Sequence, residues 1–281
     1  MRLVSLTVEN FRCYVAPISV RFDDLTALVG RNDVGKSTLM DALAIFFETT
    51  NPDKDDASKR GDPKLMRISC EFDQLPDSII VDAEFPTSLA SELLLSGSGT
   101  LIVRKTYNGA LANPKTSAIE AIALHPTAKG FDDLLALKKA DLTKRAGDLK
   151  VDLKEVDKRA NAPVRSAIWA SCADLHLAKV PVSLDSEGGK QAWAALQQFL
   201  PTFALFKSDR ASTDQDAEAQ DPLKSAIREA IKAVEPKLQE VKDHVEAEVK
   251  KIAAATMDKL REMDASVAET LDPIVMTKKW D

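Results

Sequence analysis

An α/β fold is what this sequence predicts: a mixed sheet around one glycine-flanked helix, a helical insertion, and a long C-terminal helical arm. Three observations carry that reading. An apolar run, "LTALVG" (25–30), passes through a short polar loop into Leu39, Met40, Leu43, Phe46 and Phe47, which recur at helical spacing. Several short segments within the first 110 residues alternate apolar and polar side chains, the period of a strand. After Pro222 the apolar residues recur every three or four positions on a charged background, the period of a helix.

The elements follow in order. "MRLVSLTVENFRCY" sets Leu3, Ser5 and Thr7 against Val4, Leu6 and Val8, so it predicts a first strand followed by a turn. "ISVRF" predicts a second strand leading straight into the glycine-flanked loop, with "LTALVG" as a short buried strand of the parallel-sheet kind. "LMRISCEF" (65–72), "SIIVDAEF" (78–85) and "GTLIVRKTY" (99–107) are further strands, and "TSLASELLLSG" (87–97) is a short helix ending at Gly97. These compose a first region, 1–110.

Residues 111–200 shift to helical composition and read as a helical insertion. Leu142, Leu149, Leu153 and Val156 form an apolar stripe on a charged helix, and "RSAIWASCADL" is a more buried helix. Trp169 and Trp193 read as core anchors, because no basic and aromatic residues interleave around them. Residues 201–221 hold a strand-like "TFALFK" and a polar loop. Residues 222–281 are the arm, with Leu223, Ile227, Ile231, Val234, Leu238, Val241, Val245 and Val249 in its repeat and a break expected at Val234–Pro236. Its segment 236–271 would extend ~54 Å if continuous. One narrow apolar stripe needs a partner helix, so the start of a coiled-coil arm is expected, the alternative being a long helix packed on the helices of the insertion.

Bulk composition excludes several classes. No run approaches the ~18 apolar residues that span a bilayer, and the N-terminus is not a signal segment. Cys13, Cys70 and Cys172 are isolated, as are His125, His176 and His244, so neither a disulfide framework nor a metal site is indicated. A soluble, reducing, cytoplasmic setting is expected, without membrane partners. The formal net charge of −6 repels nucleic acid in bulk. Lys138, Lys139, Lys144, Arg145 and Lys150 form a local basic run, but Asp141, Asp148, Asp152 and Glu155 interleave with it, which marks a solvated helix face.

Gly30-Arg31-Asn32-Asp33-Val34-Gly35-Lys36-Ser37 fits G-x-x-x-x-G-K-[ST] on a strand–loop–helix junction. By chance the bare pattern arises in on the order of one chain in a hundred of this length. Gly30 and Gly35 permit backbone angles closed to other residues, so that successive N–H groups can turn around a phosphate. The helix that follows directs its positive end at the same place. Lys36 is the catalytic candidate, a counter-charge for β- and γ-phosphates, and the Ser37 hydroxyl is a ligand for Mg²⁺. Residues 30–38, ending at Thr38, are therefore the candidate site for a nucleoside triphosphate.

Asn10-Phe11-Arg12 followed by G-x-N-x-x-G-K-[ST] within forty residues resembles the ATP-binding-cassette ATPases of the RecF and structural-maintenance-of-chromosomes type. Asn32 falls where that group carries its asparagine, and Asp33, giving "GRNDVGKS", looks more like the OLD-type (overcoming lysogenization defect) ATPases of phage-defence systems. The resemblance covers residues 1–48. It implies an ATPase head lobe, Arg12 close to the nucleotide phosphates, ATP-driven pairing of heads as a homodimer or higher oligomer, and control of a DNA-directed nuclease effector.

Other family motifs are not matched. No Gln ends "TFALFK"; Ser208 and Asp209 stand there, with Gln215 and Gln220 beyond. After residue 223 no signature S-G-G, no apolar strand ending in Asp-Glu and no matching histidine occur, while "IIVDAEF" with Asp82 and Glu84 suits an edge strand better. The expectation is an N-terminal portion of a longer protein that binds ATP and hydrolyses it poorly alone. A dimerising regulatory module that recruits a separate effector is the alternative. A P-loop kinase or GTPase is disfavoured by the missing N-K-x-D and substrate lid.

Overall fold

Met66, Ile68, Cys70 and Phe72 are fully buried while the residues between them are not, and that period of two makes Met66–Asp73 a strand with one face in the core. The computed structural model of the chain describes residues 1–31, 35–82 and 85–205. Among them are eight strands: β1 (Arg2–Glu9), β2 (Ile18–Arg21), β3 (Met66–Asp73), β4 (Ile79–Asp82), β5 (Phe85–Thr87), β6 (Leu101–Tyr107), β7 (Thr116–Pro126) and β8 (Leu177–Ser183). Six form one sheet in the order β2-β1-β3-β6-β7-β8, and every neighbouring pair in it is antiparallel. β4 and β5 pair separately.

The four described helices are α1 (Lys36–Phe46), α2 (Lys139–Asp148), α3 (Asn161–Ala170) and α4 (Glu187–Gln197). Helix α1 contributes Leu39, Ala42, Leu43, Ile45 and Phe46 to the same core as Leu6, Val8, Ile68, Phe72, Leu101 and Val103 of the sheet, and α4 adds Trp193 and Leu196. Each large side chain so buried stabilises the fold by about 1.5–3 kcal/mol relative to exposure. A second cluster joins Leu142 and Ala146 of α2 to Val164, Ile168 and Trp169 of α3, so both tryptophans are core residues.

Several expected elements are corrected. The sheet is antiparallel, not mixed: the parallel component rested on 25–30, which forms no strand. Leu25 and Val29 are 91% and 93% exposed, and no described strand takes up their backbone groups, without which an apolar run stays irregular. The second strand therefore ends at Arg21, well before the loop. The single strand expected over 78–85 is a hairpin, because the chain reverses between Asp82 and Phe85. The helix expected over 87–97 is a series of turns. Ser88 and Ser91 cap each other's backbone N–H groups, and Leu93 adopts a positive φ of 53°, so side-chain bonds replace the helical ladder.

Residues 111–200 are not uniformly helical, since β7 and β8 lie within them. Alanines at 118, 121 and 123 hid the alternation of β7, and pairing with β6 overrides their weak strand preference. The sheet thus runs continuously across residue 110, and residues 1–205 form one compact unit. Helix α2 stops at Asp148, yet Leu149, Leu153 and Val156 still pack on the second cluster. Residues 201–205 carry no strand. The polar loop at 208–221 and the helical arm at 222–281 lie outside the described residues.

Candidate functional site

The site is built where α1 begins. Gly35 takes φ +92°, and a Cβ placed there would lie 2.5 Å from the Tyr14 hydroxyl and 2.9 Å from Cys13 Sγ. Only glycine satisfies both the backbone angle and the space. No side chain caps the first turn of α1 and no acidic residue sits in it, so its N–H groups remain for an anion. Leu39 N–H already donates to Gly35 O at 3.3 Å, which marks where helical bonding starts.

Lys36 is folded back on the loop: its Nζ donates to Gly30 O at 2.7 Å and Arg31 O at 2.6 Å. The ammonium is thereby held against the backbone of Gly30 and Arg31, beside the start of α1, where it can serve as counter-charge to a phosphate. Ser37 is exposed beside it and suits a Mg²⁺ ligand; Thr38 is buried, so its part in an anion site would be its backbone N–H. Gly30 and Arg31 are exposed, and Asn32, Asp33 and Val34 lie outside the described residues.

The turn after β1 is brought to this loop. Phe11 and Tyr14 exchange N–H···O bonds of 2.8 Å, closing a tight reversal in which Arg12 takes φ 46°, after Asn10 at φ 53°. Tyr14 Oη reaches Gly35 O at 3.3 Å. Burial and the neighbouring Cys13 raise the Tyr14 pKa, which keeps the phenol a proton donor. Arg12 pairs with Asp41 of α1 through Nη1 and with Asp56 through Nε. Partial burial opposes its charge, but the hydrogen bonds to Asp41 and Asp56 outweigh that and hold its pKa above the ordinary value.

A cleft of about 770 Å³ opens beside Lys36 and Ser37, lined mainly by apolar side chains that include Phe22, Leu28, Met40, Leu43 and Phe203. In the basic run Arg145 pairs with Asp133 and Lys139 reaches Arg159 O, while Lys138, Lys144 and Lys150 are exposed. Among the described residues no group of three His, Cys, Asp or Glu could hold a metal, and no helix is long and apolar enough to cross a membrane.

Arg12, Gly30, Arg31, Gly35, Lys36, Ser37 and Thr38 therefore gather around one helix start. Sequence reasoning missed Tyr14, Asp41 and Asp56. Asp41 was findable, four residues after Ser37 and so on the same helix face; Asp56 was signalled by the D-x-x-D capping pattern Asp53–Asp56.

A sheet carrying a glycine-hinged loop, a lysine and a hydroxyl at a helix start is a P-loop nucleotide-binding domain. Residues 1–281 match the family model described as AAA ATPase domain, and the chain belongs to that family: an ATP-binding ATPase domain of the AAA/ABC type and the RecF/SMC-like kind. The family uses nucleotide and usually Mg²⁺. No curated protein in the comparison matches the chain.

Proposed function

We propose that this chain is the ATP-binding head of an OLD-like ATPase in which pairs of heads close on ATP and thereby control a DNA-directed nuclease effector in phage defence. The observation that carries this reading is the Asn10–Tyr14 turn seated on Gly35, which sets Arg12 beside the helix bearing Lys36 and Ser37. In it, N–H groups of residues 30–38 cradle the triphosphate, Lys36 neutralises the β- and γ-phosphates, Ser37 holds Mg²⁺, and Arg12 approaches the phosphates from the side. "GRNDVGKS", with Asp33 in place of the usual Gly or Ser, supports the OLD-like assignment. Without a signature helix or an Asp-Glu strand matched in these residues, turnover by the isolated chain is slow.

Sedimentation of the chain with a non-hydrolysable ATP analogue and Mg²⁺ tests the pairing. The proposal expects a nucleotide-dependent dimer that Lys36→Ala cannot form. A monomer at saturating nucleotide would contradict it.

A further inference from the structure

We propose that Asp56 and Asp41 are positioning residues for Arg12 with opposite effects: Asp56 presets the guanidinium, and Asp41 is the counter-ion that a nucleotide phosphate displaces. This rests on the reading that the site takes ATP.

Asp56 grips Arg12 twice. Its backbone carbonyl accepts the Arg12 N–H at 2.7 Å, and its Oδ1 accepts Nε at 2.7 Å. The carboxylate is itself fixed, because Oδ2 accepts the Asp53 N–H at 2.8 Å within a reciprocal capping box. The side chain of Asp56 is 7% exposed, so water does not compete for it. Such a grip holds a long, rotamer-rich side chain in one place before ligand arrives, and lowers the entropic cost of binding. It also holds the strained φ 46° of Arg12 in the turn that touches Gly35.

Asp41 differs in every one of these respects. It projects from α1 four residues after Ser37, on the face that leads to the loop. Its side chain is 28% exposed, and among the described residues its partner is Arg12 Nη1 alone. Half-open ion pairs of this kind are weak, whereas a phosphate offers more charge and can accept two parallel N–H groups. Arg12 is itself 36% exposed, and its Nη2 donates to no described residue. Two carboxylates on one guanidinium leave a net negative cluster, which opposes a polyanion until one of them gives way.

Calorimetric titration of the full chain with Mg-ATP separates this from a purely structural tie. Arg12→Ala and Asp56→Asn should each weaken binding about ten-fold, as loss of a charge-assisted hydrogen bond does. Asp41→Asn should tighten it about three-fold, the scale of an exposed ion pair. Placed in an Arg12→Ala background, either aspartate change should move the affinity less than about two-fold, since both act through Arg12. Weaker binding by Asp41→Asn, or aspartate effects that persist without Arg12, would overturn the proposal. Should Asp56→Asn not fold, the Asp41 pair of titrations decides alone, because that side chain is partly exposed and pairs only with Arg12 among the described residues. Wild-type chain that binds no ATP removes the functional reading and this one with it. Wild-type binding that Arg12→Ala leaves unchanged removes only this one.

Discussion

At Gly35 the backbone occupies a left-handed angle that costs any residue with a Cβ about 1–2 kcal/mol, and the added carbon would also push into Tyr14. Gly35→Ala is therefore expected to lower the thermal midpoint by a few degrees and ATP affinity by at least about ten-fold. Scanning fluorimetry and calorimetry read both, and an unchanged affinity would mean the loop tolerates the shift. His125 offers a second residue-scale check. Its ring is buried against Trp169, and burial lowers its pKa although the bond to Leu93 O pulls the other way. A depressed folded pKa means the contribution to stability is present above the unfolded value of about 6.5 and is lost as pH falls through the folded value. The stability advantage of wild type over His125→Gln should shrink as pH falls below about 7; an advantage that grows on acidification would contradict it. At this scale the sequence was most legible where residue type is forced, as at Gly35 and Lys36. It was least so at Asp56, whose partner is 44 residues away.

Helix α1 shows how an element carries the site. Its N-terminus holds the loop, and its C-terminus is tied by β6: Lys105 Nζ donates to Phe46 O at 2.8 Å and Glu48 Oε1 at 2.6 Å, beneath the rings of Phe46 and Trp193. Lys105 is 2% exposed, while the Glu48 side chain is 63% exposed and can return to water. Lys105→Met, which fills the volume but leaves Phe46 O unpaired, should cost about 1–3 kcal/mol. Lys105→Ala should cost about 2–5 kcal/mol, because a cavity is added. Urea unfolding measures both, and a Met variant as stable as wild type would show that the carbonyl needs no donor. The helix itself was legible from its apolar spacing. The strand expected at 25–30 was not formed, because apolar composition does not supply a neighbour to bond with; β7 was missed because alanines carry little strand signal.

For the whole molecule, the α/β class and the P-loop ATPase family were legible, and the antiparallel order of the sheet was not, since strand neighbours are long-range facts. The net charge of −6 and the internal pairing of Arg145 argue that this chain alone binds DNA weakly and with strong salt dependence. Fluorescence anisotropy at two salt concentrations reads this directly, and tight, salt-insensitive binding would contradict it. The most direct measurement is calorimetric titration of Mg-ATP into wild-type chain and Lys36→Ala. The account predicts saturable binding by the wild type and none detectable in the variant. Equal affinity in the two, or no binding in either, would contradict the assignment of the Gly30–Ser37 loop as the phosphate site.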